Sequence, residues 1–393
     1  MTKFIDSYAT SQLLPPWEST DSTCWCFAIP LPHGSVKAYL DKYFNIHRRT
    51  DSEQYFFDEL NIKRQYGLIV VCEQPKIRSK AKGRRHRVAG HTEVYLSIPV
   101  RRRKIDRSDP KKLGRSTIVW VQPFAFGNNS YVMFGAREVW GLDVNLARID
   151  ICQPLIPELY LDLSIMGMKT FSPQSEATLI PCLYVSTGRP ISQQDPAEPE
   201  VPEPSDSPSK SSGIDAFRKA LGKNGYPVPV PTSPFEDVIK ASTLASSPPE
   251  AQNKSPSKRS QEALAKPKAE DAAGGWSRTY NIRLDNVKQF RDVYDMNAAV
   301  YRGIVESLSQ HTDLNSLYWY NPKKVEIVFY WSASIKEMVR SLFGDHGLTL
   351  KPPSAAHPGW DSCPLQVDLA YSFKSTVNFK VLKTLCTYEP DDP

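Results

Sequence analysis

Residues 189–274 set the first constraint on any fold for this chain. Proline, serine, glutamate, lysine and alanine dominate there, and large apolar residues are few. Runs such as Asp195-Pro196-Ala197-Glu198-Pro199 cannot continue a sheet ladder or a helix interior, because proline has a fixed φ and no amide hydrogen. The stretch is expected to be a disordered insert. A folded body must then be assembled from 1–188 and 275–393, roughly 300 residues, which is ample for a core. Two islands inside the insert, 214–221 and 234–240, hold enough apolar residues for transient helices that dock on a partner. Lone islands of this size are more often merely less disordered linker.

Outside the insert, the dominant signal is a series of short segments rich in β-branched residues with a period of two. They fall at 23–29, 66–73, 91–100, 117–121, 146–151, 159–165, 177–185, 278–284, 325–330 and 366–373, separated by Pro, Gly and Ser. Val36, Tyr39, Leu40 and Tyr43 stand at helical spacing and predict a short helix near 35–44, and 335–343 reads as a second amphipathic helix. Many short strands in succession predict a mainly β fold with minor α, an antiparallel β-barrel or sandwich. The run Tyr131-Val132-Met133-Phe134 leads into Gly135-Ala136-Arg137-Glu138-Val139-Trp140-Gly141, which reads as a buried strand entering a tight turn. Residues 1–20 read as an arm that packs through Trp17 or stays loose.

Composition excludes several classes. No run of about 18 apolar residues exists to span a membrane, and the first residues have neither a basic nor an apolar leader region, so a cytoplasmic protein is expected. Seven scattered cysteines argue for reduced thiols rather than a disulfide scaffold. In Cys24-Trp25-Cys26 one residue separates the thiols where a zinc knuckle wants two, so core packing on one strand face is expected and no metal or other cofactor. The formal charge of +6 is concentrated in two basic loops, 76–87 and 101–112, which bracket one strand. Clustered Lys and Arg displace counterions from phosphates. No helix-turn-helix, aromatic RNA platform or zinc-finger spacing accompanies them, so solvated surface is the leading reading, a phosphate or anion site the second, and nucleic acid is not expected as a partner.

Three segments carry a family resemblance. Gly135-Ala136-Arg137-Glu138 resembles the Gly-Arg-Glu turn of the acetoacetate decarboxylase family, and Glu93-Val94-Tyr95-Leu96-Ser97-Ile98-Pro99-Val100 resembles its strand that starts on a Glu and ends in Pro-Val. Lys288-Gln289-Phe290-Arg291-Asp292, followed by Ala298-Ala299-Val300-Tyr301, is similar to a third segment of several such proteins. The resemblance implies an acetoacetate decarboxylase-like β domain formed by 1–188 and 275–393, interrupted by the insert, and assembly into a homo-oligomer. It implies a small carboxylate or keto-acid ligand, with Glu93, Arg137 and Glu138 as candidate catalytic residues. Arg137, Trp140, Val144 and Asn145 become candidate binding residues.

In that family two adjacent lysines follow the turn; the first forms a Schiff base with a keto acid and the second lowers its pKa. In register from Arg137-Glu138, the family's Pro falls on Asp143, its first lysine on Val144 and its second on Asn145. A lysine attacks at neutral pH only when desolvation or a neighbouring cation frees its lone pair. Valine has no lone pair and an asparagine amide is not nucleophilic, so the family's imine chemistry is not expected here. What the resemblance implies is a pocket that binds a carboxylate through Arg137, or lysine-independent acid–base chemistry by Glu93 and Glu138. The alternatives are an active carboxy-lyase or aldolase-type enzyme with a displaced amine such as Lys288, and a non-catalytic interaction protein tethered by the insert. Taken alone, an Arg-Glu pair is more often a surface pair worth about 0–1 kcal/mol.

Overall fold

The structure is a computed structural model that describes residues 16–45, 53–57, 65–80, 87–88, 90–105, 113–152, 158–190, 279–291, 299–344 and 357–388. The expected insert therefore lies, apart from 189–190, outside the described residues, as do its two islands, most of the N-terminal arm, and 81–86 and 106–112 of the two basic segments. In chain order the elements are β1 (Trp17–Leu31), α1 (His33–Tyr43), β2 (Glu53–Phe56), β3 (Gln65–Gln74), β4 (Lys76–Ser79), β5 (Arg87–Val88), β6 (His91–Ile105) and β7 (Leu113–Gly127). Then come α2 (Ser130–Gly135), a π-helical turn (Ala136–Trp140), β8 (Val144–Cys152), β9 (Tyr160–Gly167), β10 (Thr178–Ser186), β11 (Tyr280–Arg291) and β12 (Ala299–Tyr320). β13 (Glu326–Tyr330), α3 (Ala333–Phe343), β14 (Ser362–Pro364) and β15 (Leu369–Tyr388) complete them.

Seven strands close on themselves in the order β7, β11, β12, β15, β1, β3, β6 and back to β7, giving a mainly β barrel. Its pairings are antiparallel except at one seam, where β7 meets β11 in parallel through Leu284 and Trp120. β7 also carries the second sheet. Its register against β6 slips between Val121 and Phe124, around Pro123, which cannot donate to a ladder, and its last residues Ala125 to Gly127 pair in parallel with β8. From β8 the second sheet runs through β9, β10, β13 and β14.

Period-two alternation sorts the barrel side chains into two populations. Cys24, Cys26, Leu68, Val70, Trp120, Leu284 and Tyr371 fill the interior. Trp25, Phe27, Ile69, Leu96 and Val121 belong to a larger core with Leu163 and Phe329 of the second sheet, Val36 of α1 and Val339 of α3. A third cluster plugs one end of the barrel, where Trp17, Val132, Met133, Trp140, Leu142 and Val144 pack together. Trp140 meets Trp17 and Phe379 edge-on, with ring centroids 3.8 and 4.5 Å apart. No helix among the described residues is long and apolar enough to cross a membrane.

Two local expectations are overturned. Tyr131 to Phe134 form a helix, not a strand: Asn129 caps α2 by accepting the Tyr131 amide, and the chain continues into the π-helical turn before Gly141 stops it at φ 69°. The buried residues Val132, Met133, Ala136 and Trp140 recur at helical, not alternating, spacing. The basic block at 101–104 is likewise no loop but the end of β6, and Arg102 is buried. Its guanidinium donates from Nη1 to both oxygens of Asp285, at 2.9 and 2.8 Å, and from Nη2 to Glu306 at 3.0 Å. Tyr55 donates to Asp285 at 3.0 Å and Arg283 to Glu306 at 2.9 Å. Burial pushes the Asp285 carboxyl up to about 7 against the pull of Arg102 and Tyr55. At Glu306 burial also works upward, but Arg102 and Arg283 outweigh it and hold the group below its ordinary value.

Candidate functional site

Beneath the aromatic plug the barrel interior holds a cavity of about 60 Å³, room for roughly four or five waters or one small organic molecule. Inward-facing positions of several strands converge on it because every second residue of a barrel strand points inside. Trp17, Trp140, Leu142, Ile282 and Phe379 give it an apolar end, and Ser19, Gln74, Glu93, Gln122, Ser309 and His311 give it hydrogen-bonding walls.

Glu93, near the start of β6, is the carboxylate of this wall. The Nε2 of His91, two residues earlier on the same strand face, lies 2.7 Å from Glu93 Oε1. His91 is buried, and its Nδ1 has no hydrogen-bond partner among the described residues. The ring fits because position 127 is glycine: a Cβ there would stand 2.8 Å from His91 Cε1 and 3.2 Å from Val144 Cγ1. Across the cavity, His311 is buried between Ser375, 3.0 Å from Nδ1, and Ser309, 3.3 Å from Nε2. Burial holds its pKa down at about 4, so it is a neutral imidazole at physiological pH, with one serine donating to it and the other accepting. The Trp140 indole N–H, buried in the plug, has no acceptor among the described residues.

No lysine or arginine lines the cavity among the described residues. Glu93 is the one acidic side chain among the described residues that line it.

The residues singled out in the sequence divide by position. Glu93 and Trp140 line the cavity. Arg137 does not: the helical path places it on the solvent side of the turn that buries Ala136 and Trp140. Its Nη2 is 3.7 Å from Asp143 Oδ1, with both side chains more than half exposed at 53% and 72%. Asn145 is exposed on β8, whereas Val144 is buried in the plug. Glu138 is half-buried near Lys288, whose pKa burial lowers and the Glu138 charge raises. The Lys288 amine sits over the rings of Phe290 and Tyr301, 5.4 and 5.9 Å from their centroids, outside the cavity lining. Gln122, Ser309 and His311 were not singled out in the sequence. His91 and Tyr95 follow by counting in twos from Glu93, but no local pattern marks His311, because its partner Ser375 lies 64 residues away on β15.

No protein-family model matches the chain, and no curated protein matches it. Among solved structures, its backbone is similar to acetoacetate decarboxylase from Legionella pneumophila subsp. pneumophila str. Philadelphia 1, at 10% identity and a TM-score of 0.43, covering 95% of this chain and 89% of that one. An acetoacetate decarboxylase-like enzyme from Sphingomonas wittichii RW1 is similar at 8% identity and a TM-score of 0.42, covering 98% and 99%. The enduracididine biosynthesis enzyme MppR complexed with pyruvate is similar at 9% identity and a TM-score of 0.41, covering 95% and 92%.

Proposed function

We propose that this chain is an acetoacetate decarboxylase-like barrel that binds a small carbonyl compound, a keto acid in the first instance, without forming an imine to it. The observation that carries the reading is the chemistry of the cavity wall: a carboxylate at Glu93, neutral donors at Trp140, Gln122 and Ser309, and no amine. Neither position aligned with the family's lysines offers a nucleophile, Val144 being in the plug and Asn145 at the surface. The same reading takes 1–188 and 275–393 as one domain.

The charge of the wall narrows how such a ligand binds. A keto-acid carboxylate entering beside the Glu93 carboxyl brings two acidic groups into a low-dielectric space, which favours uptake of one proton by the set formed of the ligand, Glu93 and the His91 ring 2.7 Å from it. Affinity for pyruvate or acetoacetate should therefore fall as pH rises, while that of acetone should not change. On this reading the ligand's carboxylate sits in the barrel interior and does not meet Arg137, whose side chain is more than half exposed.

The test combines trapping with calorimetry. Borohydride reduction in the presence of acetoacetate or pyruvate, followed by peptide mapping, should show no lysine adduct. Titration with pyruvate in buffers of different ionisation enthalpy should show proton uptake. An adduct on Lys288, the amine whose pKa burial lowers, would replace this reading with the displaced-lysine enzyme. Absence of binding by pyruvate, acetoacetate and acetone alike would remove the ligand class.

A further inference from the structure

The wall of the same cavity carries a second chemically distinct feature, a thiol that the binding of a keto acid does not use. Cys24 and Cys26 lie two residues apart on the inner face of β1, and Cys72 of β3 stands directly opposite Cys24 in antiparallel register. The two sulfurs are 3.1 Å apart. Opposed residues of an antiparallel pair have Cα atoms about 4.5–5.5 Å apart, within the range that a disulfide spans, so the bond needs side-chain rotation and no strand movement.

The row continues on the other side. Cys72 is directly opposite Glu93 of β6, and both line the cavity, whereas Cys24 does not and is 1% exposed. The Gln74 side-chain amide also reaches the Cys72 sulfur, at 3.6 Å. A thiol on the cavity wall thus has a carboxylate on one flank and a second thiol on the other. Cys26 is excluded from the row, because its partner on β3 is Val70.

We propose that Cys72 and Cys24 are a redox-active dithiol site that takes a low-molecular-weight disulfide from the cavity. Cys72 Sγ gives its proton to Glu93 and attacks one sulfur of the disulfide, whose S–S bond breaks; the departing thiolate takes the proton back from Glu93. Cys24 Sγ then attacks the Cys72 sulfur of the mixed disulfide, and its proton leaves with the second small thiol. One disulfide is reduced to two thiols, and two cysteine thiols are oxidised to one protein disulfide. The order of events follows from the surroundings: the contact with Cys72 and then burial push the Cys24 thiol well above its ordinary pKa, which suits the group that resolves rather than the one that attacks.

The experiment exposes the reduced, full-length native protein to hydroxyethyl disulfide, quenches with acid, alkylates after unfolding and maps the peptides. The expected result joins Cys24 to Cys72 and leaves Cys26 alkylatable. Cys24→Ala should hold a stable hydroxyethyl adduct on Cys72, and Glu93→Gln should slow loss of the Cys72 thiol by about tenfold or more. The exposed Cys152 takes up the reagent in either case and shows that it is active. Recovery of both Cys24 and Cys72 as alkylated thiols, or an adduct on Cys24 instead of Cys72, overturns the proposal. The wild-type map decides it even where Cys24→Ala does not fold.

Discussion

Gly141 fixes the site's geometry more tightly than the charged residues beside it. Its φ of 69° ends the π-helical turn, and a Cβ there would meet the Lys288 backbone at 2.6 Å, where neither side can give way. Gly141→Ala should therefore cost on the order of 3 kcal/mol, about 1–2 from the left-handed backbone and the rest from the clash, read as a lower midpoint in urea unfolding. Arg137→Ala, four residues earlier in the same motif, should change stability by less than about 0.5 kcal/mol and leave pyruvate affinity unaltered. A weakened affinity in that variant would place the ligand at the surface pair instead of the barrel interior. The contrast marks what single residues say in a sequence. Glu93 and Trp140 could be singled out because they stand in short motifs, but whether Arg137 faced a cavity or water depended on the chain being helical there. Four apolar residues in a row do not settle that, since such a run suits a strand or a short buried helix equally.

Element boundaries were legible where alternation was clean and lost where charge interrupted it. The strand at 91–100 reads from its apolar period, yet β6 runs on to Ile105 through three arginines and a lysine. What makes this tolerable for Arg102 is a pair of acids 183 and 204 residues away, a pairing with no local trace. The pairing has a pH signature. Asp285 is raised to about 7 in the folded protein, so between roughly pH 4 and 7 the folded state holds a proton that the unfolded chain has lost. Stability from this group is complete below the ordinary aspartate pKa and falls as pH rises through that window. Glu306, held low, acts oppositely and loses its contribution only as pH drops below the ordinary glutamate range. His311, held at about 4, gains stability as pH rises toward the ordinary histidine value and offsets Asp285 below about pH 6.5, so the signature is read as a difference: in scanning calorimetry from pH 5 to 7.5 the Tm of the wild type should fall relative to that of Asp285→Asn, whatever the absolute level. Arg102→Leu should be far worse than either, by about 3–5 kcal/mol, because it leaves Asp285 buried without its cation and takes from Glu306 one of its two guanidinium partners.

At the scale of the whole molecule, strand order supports the proposal that 1–188 and 275–393 fold as one domain. Reading round the barrel, β11, β12 and β15 from beyond the insert sit between β7 and β1 from before it. β1 pairs with β15 along most of its length, and β12 pairs with β15 over one of the longest ladders in the structure. Neither half can close a barrel alone, since each would present two open edges and half of the interior core. The sequence pointed toward this only through the family resemblance on both sides of the proline-rich stretch; composition by itself was equally compatible with two domains. A flexible chain of the insert's length has an r.m.s. span of about 50 Å, more than enough to join neighbouring strand ends without strain. Trace protease should therefore cut near 190–274, where proline and serine leave little for a packed core, and the two fragments should elute together from a sizing column under native conditions. They should separate only in denaturant, with a single unfolding transition shared by both, because the interior core is assembled from both pieces. Separation under native conditions, or two independent transitions, would mean that the halves are distinct domains and that the cavity beside Glu93 is not built from a common barrel.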